Sequence, residues 1–93
     1  MDSKSLAQIE RYNRLADFIK DVDALLREKE ELHGISGGFY ETNADRDYTH
    51  AIGEAKLKLN EFVKTGNPRM LLKATGWIFL IYETERKLGP VKD

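Results

Sequence analysis

Thr65-Gly66-Asn67-Pro68 separates two apolar, helix-patterned segments, and the order of these four residues decides how the segments connect. A glycine just past a helix takes the left-handed conformation that closes it. Asn offers a side-chain oxygen to the first free amides of the next helix. Proline is tolerated in a first helical turn, because its missing N–H has no partner there. The four together predict a tight helix–helix connection, with the flanking segments antiparallel.

Upstream, residues 44–64 carry Tyr48, Ile52, Ala55, Leu59 and Phe62 at helical spacing, with Lys56, Lys58, Asn60 and Glu61 on or beside the solvated face. Asn43 or Asp45 is the expected N-cap of this helix. Downstream, residues 68–88 form a third segment, stopped by Gly89-Pro90. Its apolar positions, laid out at about 100° per residue, cover an arc of about 220°. The polar wedge is narrow: Arg69, Lys73, Glu83, Thr84 and Lys87, with Leu80 inside it. An arc that wide needs cover, either from both neighbouring helices or from a partner subunit against Trp77, Phe79 or Leu80.

The first segment runs over residues 5–33. Tyr12, Leu15, Ile19, Val22 and Leu26 recur at alternating steps of three and four, and Phe18, Leu25 and Leu32 widen the seam. No Gly or Pro interrupts it, and Gly34 stands where a left-handed terminator is needed. At about 1.5 Å per residue, such a helix reaches about 43 Å and overhangs its shorter neighbours unless it bends near Tyr12-Asn13. The fold class expected is all-α: one domain over residues 1–93, an antiparallel three-helix bundle with a long first helix.

Composition narrows the function classes. The 93 residues hold fifteen Lys plus Arg against sixteen Asp plus Glu, and no Cys. The charge is spread evenly, so a general nucleic-acid binder is not expected, nor a polybasic membrane-surface protein. Disulfides, Cys-ligated zinc and thiol catalysis are excluded. The most apolar stretch, residues 70–82, is shorter than the roughly twenty residues a membrane span needs. The N-terminus carries no apolar signal region, so a cytoplasmic location is expected. The three serines lie near the N-terminus or in a loop, and no triad is legible.

Three constellations could carry chemistry. If the helices run up-down-up, one pole collects Glu30, His33, Asp47 and His50, with Glu54, Glu83 and Glu85 nearby. Glu30-x-x-His33 and Asp47-x-x-His50 each place a carboxylate and an imidazole on one helix face, as in carboxylate-bridged metal sites of bundles. Arg46 and Arg86 beside them oppose a cation. The second is the Gly-rich stretch ahead of the middle helix. There Ser36, Tyr40, Arg46, Tyr48 and His50 could hold an anionic small ligand such as a nucleotide at a helix N-terminus. The third is a protein interface anchored by Tyr12, Phe39, Tyr40, Trp77, Phe79 and Leu80, since half-exposed aromatics on an apolar face are the usual anchors.

The last fits best. The sequence reads as a non-catalytic interaction or regulatory module, not an enzyme and with no cofactor. It is expected to form a homo-oligomer, most simply a dimer, and to bind a protein partner. The anion site and the metal pole are the alternatives.

Overall fold

In the computed structural model the chain is all-α, with three helices: α1 Ser3–His33, α2 Thr49–Thr65 and α3 Arg69–Leu88. The structure describes residues 3–34 and 43–91, the side chains of Ser3, Lys4 and His33 excepted.

The turn at residues 65–68 forms as its chemistry dictates. Gly66 takes φ 68° and donates its N–H to the Phe62 carbonyl, closing α2 in a left-handed cap. The Thr65 hydroxyl donates to the Glu61 carbonyl at 2.8 Å, and the Asn67 side-chain oxygen accepts the Arg69 amide at 3.0 Å. The orphan groups on both sides of the turn are thereby partly satisfied. α2 and α3 consequently pack as a close antiparallel hairpin. Small residues let the two backbones approach: Ala51 and Ala55 of α2 and Ala74 of α3 are buried. Thr84 is the one fully buried polar residue among those described, and its hydroxyl donates to the Leu80 carbonyl at 2.7 Å.

α2 begins five residues later than its apolar pattern suggests. Arg46 sits at φ 62°, which no helix interior accommodates, so residues 43–48 form turns instead. Asp45 and Asp47 each accept a backbone amide two residues on, and the Asp47 carboxylate also accepts the Thr49 hydroxyl at 2.7 Å. Neither Asn43 nor Asp45 is the helix N-cap; Tyr48 is, without a side-chain bond of its own.

α3 is the central helix, with α1 and α2 each packed on it and not on one another. Val22 and Leu25 of α1 are buried against it, and a Cβ added at Gly76 would lie 3.4 Å from Leu26. Glu28, near the end of α1, binds Arg69 at the start of α3 at 2.7 Å. Lys29, the next residue, reaches Trp77 in the middle of α3, and Phe18 and Asp21 line the surface at the start of α3 with Pro68 and Arg69.

The result is an open arrangement. The radius of gyration is 16.1 Å, where a compact chain of this length has about 12 Å. The accessible surface is 7434 Å², where a compact monomer of this mass exposes about 5,500 Å².

Candidate interaction surface

α1 contributes to the excess, as do the exposed Ile52, Leu57, Leu59 and Val63 of α2. In α1 the apolar residues Leu6, Ile9, Tyr12, Leu15 and Phe18 fall at strict steps of three, each about 60° back from the last, so they wind around the helix. One neighbour cannot cover a winding stripe. α3 covers Val22 and Leu25, while Tyr12 remains 73% exposed and Ile19 63%. Leu15 and Phe18 are exposed as well. The polar side of α1 is an ordinary solvated face, with the pairs Glu10–Arg14 and Asp23–Arg27 one turn apart.

Where α1 meets α3, the uncovered seam opens into a groove of about 250 Å³. Phe18, Ile19, Val22 and Leu26 form one wall, Thr75 and Phe79 the other, with Asp23 at the rim. Phe79 is exposed, as are Ile78 and Tyr82 on the same helix. The groove is mostly apolar, with Phe18 and Phe79 on opposite walls.

The six expected interface residues divide. Tyr12 and Phe79 are exposed. Leu80 is half-buried in the bundle. Trp77, also half-buried, is engaged on two sides: the Lys29 ammonium lies 5.9 Å from its ring centroid, and the His50 ring meets it edge-on at 5.6 Å. Trp77 thus ties the three helices together. Burial, and then the nearby charges of Lys73, Lys58 and Arg69, hold the Lys29 ammonium below its ordinary pKa. Phe39 and Tyr40 lie outside the described residues.

The groups expected to hold an anion are engaged within the fold. Arg46 donates from one guanidinium nitrogen to Glu85 and from another to the Gly89 carbonyl, both at 2.6 Å. The Tyr48 hydroxyl donates to the same Glu85 oxygen at 2.8 Å. Partial burial, then this bond and the carboxylate charge, push the Tyr48 phenol above its ordinary pKa. The three side chains form a clamp between the loop before α2 and the end of α3, and His50 is turned to Trp77. Ser36 and Tyr40 lie outside the described residues.

This clamp was not foreseen, yet it is legible. Tyr48 and Glu85 are equidistant from the centre of the 66–67 turn, so an antiparallel hairpin places them opposite one another.

Of the expected metal ligands, Glu30 is exposed and Asp47 caps α2, its carboxyl held below the usual range by the bonds from Thr49. His50 packs on Trp77, and the His33 side chain lies outside the description. Among the described residues, no three His, Asp or Glu side chains gather as a ligand set. No described helix is long and apolar enough to cross a membrane.

Compared with known protein families, characterised proteins and solved structures, the chain matches none.

Proposed function

We propose that this protein is a non-catalytic helical interaction module that self-associates and presents the α1–α3 apolar surface for assembly with a protein partner. One observation carries the reading: the single chain leaves about 1,900 Å² more surface exposed than a compact monomer of its mass. A stable obligate homodimer removes about 1,000–2,500 Å² per subunit, so one further copy of the chain supplies cover of the required size. Asp23 is the charged residue of the groove lining, and the Thr75 hydroxyl there is held by the Leu71 carbonyl, so the groove is mostly apolar, which agrees with a docking role.

The test is the mass in solution by sedimentation equilibrium over a range of protein concentrations. The expected outcome is a multiple of the 10.7 kDa chain mass that persists on dilution. A species of 10.7 kDa at every concentration removes self-association from the proposal.

A further inference from the structure

The α1 surface carries its own instructions for orientation. Residues 3–16 hold three basic side chains, Lys4, Arg11 and Arg14, and one acidic, Glu10. Residues 17–33 hold three basic, Lys20, Arg27 and Lys29, and six acidic. The first half of the helix is therefore +2 and the second −3. Two copies of α1 laid parallel would set like charge against like along their whole length. Laid antiparallel, each basic half meets an acidic one, and the helix dipoles oppose one another favourably.

The apolar pattern selects the same arrangement. The seam Tyr12, Leu15, Ile19, Val22 alternates steps of three and four, the spacing that packs one helix along another. A two-fold axis crossing α1 near Asp17 brings Leu15 onto the partner's Ile19 and Tyr12 to the level of the partner's Val22, where Val22 is buried against α3 and the exposed Ile19 and Phe79 flank the groove. Val22 lines the 250 Å³ groove together with Leu26 and Phe79. Each chain thus carries an exposed aromatic knob and, ten residues on, an apolar hole. A self-complementary pair of this kind closes with two copies and leaves neither half unused.

We infer that the second copy lies antiparallel along α1, with Tyr12 of each chain seated in the groove at Val22, Leu26 and Phe79 of the other. This rests on the self-association proposed above and specifies its geometry.

The chain has no Cys, so a nitroxide can be placed at one position through Ala7→Cys, on an exposed turn of α1. Position 7 lies ten residues from the axis. Pulsed electron spin resonance is expected to give a spin–spin distance of about 30 Å for the antiparallel pair, against about 10 Å for a parallel one. Tyr12→Ala removes an exposed ring and is expected to leave helicity unchanged while weakening association about tenfold or more. A multimeric mass with a short distance, or with no distance near 30 Å, overturns the orientation while self-association stands. An unchanged dissociation constant for Tyr12→Ala overturns the seating. A wild-type mass of one chain overturns both this inference and the reading beneath it.

Discussion

In the α2–α3 hairpin, Ala51, Ala55 and Ala74 let two backbones close on each other and vanish from solvent. In α1, the larger Tyr12, Leu15 and Ile19 stay in water. The hairpin is completed by local chemistry: a left-handed Gly66, a capping Asn67 and a clamp at its open end. α1 has periodicity and a left-handed Gly34 at its end, but no second helix within its own chain to lie against. Two helices joined by three residues find each other at little entropic cost, while a helix tethered through a longer connection depends more on its tertiary contacts. Local signals thus finish the hairpin, and α1 is left with apolar residues that its own chain does not cover.

The largest effect expected from a single substitution falls in the hairpin. Ala74 of α3 is 1% exposed in the core, where a leucine adds three carbons to a packed position. Ala74→Leu is expected to cost about 1–3 kcal/mol of unfolding free energy in a denaturant titration. Leu15→Ala on α1 is expected to lower stability by an amount that varies with protein concentration, as loss of a subunit contact does. A silent Ala74→Leu, or a Leu15→Ala effect independent of concentration, would erase the contrast between the two regions.

The clamp offers a smaller and more discriminating effect. Arg46 holds a left-handed backbone that costs a non-glycine residue about 1–2 kcal/mol, and its hydrogen bonds to Glu85 and Gly89 offset that cost. Arg46→Ala loses the bonds and keeps the strain. Arg46→Gly loses the bonds and relieves it. The glycine variant is therefore expected to be the more stable of the two by about 1 kcal/mol, read from their denaturation midpoints. Equal stabilities would show that the backbone at residue 46 relaxes once the guanidinium is gone.

How much of this was legible depends on the range of the signal. The 65–68 turn acts over neighbouring residues, so the antiparallel hairpin follows from four letters. The start of α2 did not: residues 44–48 carry a helical pattern, and only the tertiary pull of Glu85 and Gly89 on Arg46 turns the backbone out of it. The placement of α1 was also out of reach. Its apolar seam fits either direction along α3, and the pair that marks the direction, Glu28 with Arg69, spans forty-one residues. The expected metal pole depends on that direction, and its His33 side chain lies outside the described residues. The expected anion site placed Arg46 and Tyr48 correctly at the head of α2, but their partner stands on another helix. Tyr12 and Phe79 were legible as surface aromatics, because apolar residues in excess of what one neighbour covers show in the sequence itself.

The smallest effect tests how α1 is attached. The hydrogen bond from Arg69 first, then its charge and that of Lys73, hold the Glu28 carboxyl below its ordinary value of 4.5. A carboxyl depressed in the folded state contributes stability that is fully present above its unfolded pKa and is lost as pH falls through the folded one. The contact between α1 and the start of α3 therefore loosens only in acid below pH 4.5, and salt weakens it at neutral pH because both partners face water. Trp77, the single tryptophan, reports the change through Lys29, which sits over its ring next to Glu28 in the chain. In Glu28→Gln the acid-dependent part of the Trp77 fluorescence is expected to shrink, while the hairpin keeps its helicity. If the two proteins follow the same curve from neutral pH to acid, the Arg69 pair plays no part in seating α1, and the buried contacts of Val22 and Leu25 hold it alone.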